Sequence, residues 1–146
     1  MKRLQSIPGV GPIVAYAYMA HVGDGSRFSK GAQVSNYIGF VPRLDYSGTI
    51  HRQGHITKRG NGYLRGLLVQ AAWTMVRCNN GGAFGARYKY ITAYHGESKK
   101  KTIVSLASRL TELMYSVLRN KTEYELRQWK GPEGKVRLLT GKELCA

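Results

Sequence analysis

Apolar residues recur at helical spacing along two long segments of the chain. Behind Asn61, which has the side chain of an N-cap, a first stripe follows the pattern i, i+3, i+4, i+7. It comprises Leu64, Leu67, Leu68, Ala71, Ala72 and Met75. A second stripe comprises Ile103, Leu106, Ala107, Leu110, Leu113, Met114, Val117 and Leu118. The two stripes predict two long helices that form the core.

Three shorter helices are also predicted. Pro12 suits the first turn of a helix through "PIVAYAYMAHVG", which Gly23 can end with a positive φ. A short helix is expected from about Ser29 to Tyr37, ending at Gly39, and another through "FGARYKYITAYHGE". Residues 41–60 lack this period and predict an extended loop or a small hairpin. The expected fold is mainly α, with one domain over residues 1–124 and a basic tail over residues 125–146.

The segment "LQSIPGVGPIVAYAYMA" has the layout of a helix-hairpin-helix, with Gly9-Val10-Gly11 as its tight turn. Two glycines allow the backbone to approach a phosphate closely, and the free N–H groups of the following helix point toward such an anion. Gly9 and Gly11 are therefore candidate nucleic-acid-binding residues. The alternative is an ordinary turn in which both glycines serve only geometry.

Charge narrows the class of partner. The 146 residues contain 23 Lys and Arg against 8 Asp and Glu, a formal net charge of +15. This excess indicates a polyanionic partner, with nucleic acid first and an anionic membrane second. No segment predicts a membrane span or a signal peptide, so a cytoplasmic location is expected. Cys78 and Cys145 have no zinc or disulfide spacing, and no metal site is predicted in this chain.

The segment "RLDYSGTIHRQGHITKRG" places Ser47 among many cationic groups. A serine that attacks a phosphodiester needs cations to hold and neutralise the phosphate. Candidates for that role are Arg43, Arg52, Lys58, Arg59 and Arg65. His51 and His55 can act as acid or base, although loop histidines more often face solvent. The residues alone leave Ser47 open as a nucleophile or as a turn residue in a solvated basic face.

Aromatic residues allow two interpretations. Tyr37, Tyr63 and Trp73 can stack on bases, but their helical spacing favours positions in the core. We predict the core.

The chain resembles the C-terminal transposase domain of the insertion-sequence 110/116/902 family, the bridge-RNA-guided recombinases. The most specific residues are Pro42 with Ser47-Gly48, in the pattern P-x-x-x-x-S-G, followed by "ITKRGNGYLR". The resemblance extends from about Leu4 to about Tyr124. It implies that Ser47 is the catalytic serine and forms a covalent phosphoserine link to DNA during transposition.

The resemblance also implies partners that this sequence does not contain. Members of the family carry an N-terminal domain, similar to Holliday-junction resolvases, whose carboxylates bind Mg²⁺. No carboxylate set at metal-ligand spacing stands in this chain, so a fragment or truncated relative is expected, inactive by itself and without a cofactor of its own. The implied partners are DNA, a guide (bridge) RNA, that resolvase-like domain and further copies in a homo-oligomer, in the nucleoid of a prokaryotic cytoplasm.

The predicted function is therefore that of a DNA-binding, catalytic-serine domain of a transposase or recombinase. Two alternatives stay open. One is a non-catalytic helix-hairpin-helix module that grips the nucleic-acid backbone, with Ser47 only a turn residue. The other is a basic structural RNA-binding protein, which the charge permits and the P-x-x-x-x-S-G pattern disfavours.

Overall fold

The computed structural model describes residues 2–47, 50–78, 82–94 and 98–125. In chain order the elements are α1 (Lys2–Gln5), α2 (Pro12–Val22), α3 (Gly31–Ile38), β1 (Pro42–Ser47), β2 (Ile50–Ile56), α4 (Gly62–Arg77), α5 (Gly82–Tyr94) and α6 (Lys99–Asn120). The mainly α fold is confirmed, and the segment expected as a loop or small hairpin contains two antiparallel strands. The predicted tail, residues 125–146, lies outside the described residues except for Glu125.

Local sequence signals account for several helix ends. Pro12 begins α2, and Gly23 ends it with φ 70°. The side chain of Asn61 accepts a hydrogen bond from the backbone N–H of Leu64 at 3.1 Å, which confirms the predicted N-cap of α4. The run of three lysines before the second stripe forms the first turn of α6 itself. The first helix of the expected helix-hairpin-helix is only one turn, four residues long.

Helix α6 lies at the centre of the core, because α1, α3, α4 and α5 all pack against it. Its residues Leu106, Ala107, Leu110 and Met114 have no exposed surface. Helix α4 contributes most of the first predicted stripe, with Leu64, Leu68 and Met75 fully buried. Both predicted core helices are confirmed.

Buried hydrogen bonds connect the first half of the chain to α6. The hydroxyl of Tyr18 donates to the carbonyl oxygen of Thr111 at 3.0 Å, and burial raises the pKa of Tyr18 far above its usual value, so it stays a neutral donor. The hydroxyl of Tyr115 donates to the carbonyl oxygen of Phe28 at 2.6 Å. These bonds join α2 and the segment before α3 to α6.

Two of the three aromatic core predictions are wrong. Tyr37 is 47% exposed and Tyr63 is 66% exposed, whereas Trp73 packs against the core and meets Tyr88 with ring centroids 5.8 Å apart. Tyr63 stands one position before Leu64 in the first turn of α4, so it is rotated about 100° away from that buried residue around the helix. Over the described ranges, none of the helices has the length and apolar character needed to cross a membrane.

Candidate functional site

Ser47 is the last residue of β1 and pairs with Ile50, the first residue of β2. The ladder continues toward the core through the pairs Tyr46–His51, Asp45–Arg52 and Leu44–Gln53, and its other end is the pair Pro42–Ile56. Six residues of extended chain span about 17 Å at roughly 3.4 Å per step. The candidate nucleophile therefore stands at the end of the hairpin farthest from the helices.

The register divides the candidate residues between the two faces of the hairpin. Positions two apart on a strand belong to the same face, and directly opposite positions share that face. The pairs Ser47–Ile50 and Asp45–Arg52 therefore belong to one face, and Tyr46–His51 to the other. Of the residues proposed to assist Ser47, Arg52 therefore has a register position on the same face of the ladder as Ser47, and His51 has one on the other face.

A bulge interrupts the ladder near its base. Two steps along β1, from Pro42 to Leu44, correspond to three steps along β2, from Ile56 to Gln53. The extra residue on β2 bends the strand and increases its local twist. His55, in this irregular stretch, is exposed. A backbone hydrogen bond from Thr57 to the carbonyl oxygen of Val41, 2.8 Å long, closes the base.

Two backbone segments cross where the hairpin joins the helices, and each has a glycine at the crossing. Gly39, at the end of α3, has φ 90°, and Gly60, just before α4, has φ 104°. A Cβ atom on Gly39 would collide with the carbonyl oxygen of Arg59, and one on Gly60 would collide with the carbonyl oxygen of Tyr37. Both positions therefore require glycine for φ and for close approach.

This crossing positions Lys58 and Arg59, two of the predicted phosphate-holding residues. Both are exposed, and Lys58 has φ 53°, a left-handed conformation that is uncommon outside glycine. The strained backbone is held by tertiary packing on either side. The two cations thus lie on a defined surface at the base of the hairpin.

The side chain of Arg65 contacts the end of α3. Its Nη1 donates to the carbonyl oxygen of Ile38 at 2.9 Å, which satisfies one of the free carbonyl groups at the end of α3. The other guanidinium donors are available for a second partner. Phosphate contact by Arg65 stays a prediction, and its contact with α3 was not anticipated from the sequence.

The two glycines of the N-terminal turn differ. A Cβ atom on Gly9, which has φ 84°, would lie 2.7 Å from the carbonyl oxygen of Ala71 and 2.9 Å from the backbone nitrogen of Met75. Gly9 therefore serves the packing of the turn on α4. Gly11 is exposed and faces open space, with nothing within 4 Å of such a Cβ atom. A backbone approach by phosphate is therefore open at Gly11, and nucleic-acid contact at both positions stays a prediction.

Carboxylates are scattered over the described part of the chain. No group of three or more His, Cys, Asp or Glu side chains with the geometry to hold a metal ion occurs among those residues. Asp24 is exposed and accepts hydrogen bonds from the backbone N–H and the hydroxyl of Ser26, at 3.0 and 2.7 Å. These bonds lower the pKa of Asp24, so it stays ionised.

Residues 1–89 match the family described as "Transposase IS116/IS110/IS902 family". The match covers α1 to α4, the hairpin and part of α5. The chain belongs to this transposase family. The resemblance inferred from the hairpin residues is thereby confirmed.

Similar proteins occur in several bacteria. Over 125 residues the chain is 34% identical to a "Probable family 20 transposase" of Pseudomonas aeruginosa, covering 85% of this chain and 37% of that protein. Over 76 residues it is 45% identical to a transposase for the insertion sequence element IS1111A of Coxiella burnetii, covering 52% of this chain and 21% of that protein. A "Pilin gene-inverting protein" of Moraxella bovis is 29% identical over 127 residues, covering 85% of this chain and 38% of that protein. The chain thus spans less than two fifths of the length of these relatives.

Arg27 is a surface residue that the sequence did not single out. Its guanidinium lies 4.9 Å from the ring centroids of both Phe28 and Tyr37 and donates a hydrogen bond to the carbonyl oxygen of His21. A basic residue next to an aromatic one in a glycine-rich loop was the only signal available. The pairing with Tyr37 depends on the tertiary fold.

Proposed function

We propose that this chain is the catalytic-serine domain of a DNA recombinase that cleaves and rejoins strands. Ser47 Oγ attacks the phosphorus of a phosphodiester, a P–Oγ bond forms, and the sugar oxygen leaves and accepts a proton. The reverse step, with a sugar hydroxyl of another strand as nucleophile, restores the DNA and frees the serine. Each step exchanges one ester for another, so no oxidant or energy source is consumed.

The observation that carries this proposal is the position of Ser47 at the outer end of the hairpin, in a chain that belongs to a transposase family. About 17 Å of strand separates it from the helices, so a duplex can approach the serine without disturbing the core. Arg52 shares its face of the ladder, and Lys58 and Arg59 are exposed at the base. Arg43 and Arg65 complete the proposed set of phosphate-holding cations.

The proposed reaction requires a second domain. A serine hydroxyl is a weak nucleophile until a base or a metal ion assists loss of its proton. We assign that role to Mg²⁺ bound by carboxylates of a separate resolvase-like domain, with a guide RNA directing the complex. The active assembly is proposed to be a homo-oligomer acting on nucleoid DNA in the cytoplasm, and this chain by itself is expected to bind DNA without cutting it.

The test is the identity of the residue joined to DNA. With the resolvase-like domain, Mg²⁺ and guide RNA supplied, we expect a protein–DNA adduct that survives denaturation, and mass spectrometry of the digested adduct should place the nucleotide on Ser47. Ser47→Ala should abolish the adduct, and Tyr46→Phe, which removes the neighbouring hydroxyl, should retain it. A nucleotide found on Tyr46 or any other residue would contradict the proposal.

A non-catalytic nucleic-acid-binding module is the second candidate, and the open turn at Gly11 favours it. Gly11→Val should weaken duplex affinity by blocking backbone approach to phosphate, with the melting temperature unchanged. The matched control is Gly66→Val, because a Cβ atom on Gly66 would also face open space but lies on α4. If Gly11→Val lowers affinity while Ser47→Ala leaves strand exchange intact, the binding module is the correct function. If Gly11→Val binds normally, the turn only connects two helices.

A further inference from the structure

We propose that an aromatic surface at the base of the hairpin binds unpaired bases of a DNA strand. This aromatic platform consists of Arg27, Phe28, Tyr37 and Tyr63. The inference rests on the proposed function in one respect: strand exchange would expose the unpaired bases that this surface binds. The ligand of these residues would be the faces of nucleobases. The hairpin, in contrast, is proposed to contact phosphates.

The first half of the platform is a cation held on two aromatic rings. The rings of Phe28 and Tyr37 have centroids 5.6 Å apart and are tilted by 55°, with the Arg27 guanidinium at 4.9 Å from each. Arg27 is also anchored to the carbonyl oxygen of His21. Tyr37 is 47% exposed, so much of this residue stays accessible to solvent in spite of these contacts.

Contacts connect this half to the residues just before Tyr63. The carbonyl oxygen of Tyr37 lies against Gly60, and Nε2 of His21 lies 2.8 Å from Nδ2 of Asn61. Because Oδ1 of Asn61 accepts from the N–H of Leu64, its Nδ2 donates to the His21 ring. Tyr63, two residues after Asn61, is 66% exposed. Tyr37, whose carbonyl oxygen lies against Gly60, and Tyr63, three residues after Gly60, are thus both close to the segment that carries Lys58 and Arg59.

Charge favours nucleic acid over a protein surface as the ligand. This part of the surface carries the exposed tyrosines together with exposed Arg27, Lys58 and Arg59. Single-strand-binding grooves combine aromatic rings and cations to stack bases and hold phosphates. Asp24, in the same loop, is an ionised carboxylate that accepts two hydrogen bonds from Ser26, and these three cations outnumber it. With a net charge of +15 over the whole chain, an acidic polymer is the complementary partner.

The distance to Ser47 sets where the unpaired bases would lie. The platform is at the base of the hairpin and Ser47 at its outer end, about 17 Å along β1. At about 3.4 Å per stacked nucleotide this corresponds to roughly five nucleotides, and an unstacked strand covers the same distance with fewer. We therefore expect the bases that contact the platform to lie within about five nucleotides of the phosphate that Ser47 attacks.

Binding of the 146-residue chain to a single-stranded 12-mer and to the duplex of the same sequence, at one fixed salt concentration, tests the platform. Tyr63→Leu should weaken single-strand binding by roughly 5- to 140-fold, the range for one stacked base, and duplex binding by less than about twofold. Tyr63→Phe, which keeps the ring, should bind like the wild type. Tyr16→Leu is the matched control, since Tyr16 is 64% exposed on α2, outside the platform.

An abasic oligonucleotide provides the second arm. Removing the bases should weaken wild-type binding at least as much as Tyr63→Leu does. On the abasic strand Tyr63→Leu should cost little more, because the base that it would stack on is already absent. Equal losses on duplex and single strand, or equal losses for Tyr16→Leu and Tyr63→Leu, would overturn the proposal. So would tyrosine-dependent binding confined to an RNA oligonucleotide, which would assign the surface to a guide strand.

The result of this binding experiment does not depend on whether Ser47 is the nucleophile. If the platform fails while the adduct still forms on Ser47, the proposed function stands without it. If the adduct fails while Tyr63→Leu selectively loses single-strand binding, the platform stands and the catalytic role of Ser47 is lost.

Discussion

The helical core and the β1–β2 hairpin differ in how their residues are held. Core positions such as Leu110 and Met114 are completely buried and are enclosed by several helices. Within the described residues, each hairpin strand packs mainly against the other strand. The residues that stabilise the fold and those proposed for the chemistry therefore lie in separate regions, and substitutions in the two regions should affect different measurements.

The two regions meet in a small area. The crossing of Gly39 and Gly60, the hydrogen bond from Thr57 to Val41 and the contact of Arg65 with Ile38 join the hairpin to the ends of α3 and α4. These contacts leave little freedom at the base. The hairpin is thus joined to the helices at one end, and its other end carries the serine that attacks DNA in the proposed complex.

The largest expected loss of stability follows from Gly60→Val. Valine at this position would need φ near 104°, and its Cβ would collide with backbone atoms of Tyr37 and Ile38. Backbone atoms cannot move aside as the end of a flexible side chain would. We expect a destabilisation above about 3 kcal/mol, measured by thermal and urea unfolding. Gly66→Val, which faces open space in α4, is the control and should retain stability. A wild-type melting temperature for Gly60→Val would show that the junction is loose.

Truncation in the core should be the next largest effect. Leu110→Ala removes a fully buried side chain from α6 and should cost about 2–5 kcal/mol, depending on how far the cavity collapses. Leu113→Ala, at a half-buried position of the same helix, should cost less. Urea unfolding measures both. Equal and small losses would mean that α6 is not the centre of the core.

A smaller loss is expected at the N-cap of α4. Asn61→Ala removes the acceptor for the Leu64 N–H and the donor to His21 and should cost about 1 kcal/mol. Asn61→Asp retains the acceptor but loses the donor, so it separates the two contacts. If Asn61→Asp is as stable as the wild type, the cap alone matters. If Asn61→Ala shows no loss in denaturant unfolding, the cap contributes nothing.

Much of this fold could be predicted from local signals. The apolar stripes of α4 and α6, Pro12 at the start of α2 and Asn61 as a cap depend on residues close together in the chain. The exposure of Tyr37 and Tyr63 and the crossing of Gly39 with Gly60 depend on which segments meet in space, and periodicity carries no information about that. For the site, the pattern around Ser47 indicated the residue, but pairing register was needed to separate Arg52 from His51.

The most direct test of the separation between core and hairpin is Ser47→Ala, assayed for stability and for chemistry in the same preparations. At the end of the ladder the substitution should change the free energy of unfolding by no more than about 0.5 kcal/mol. Duplex affinity should also be retained, whereas the denaturation-resistant adduct and recombination should be abolished in the assembly with the resolvase-like domain. Strand exchange that persists in a stable Ser47→Ala protein would contradict the account and leave Ser47 as a turn residue.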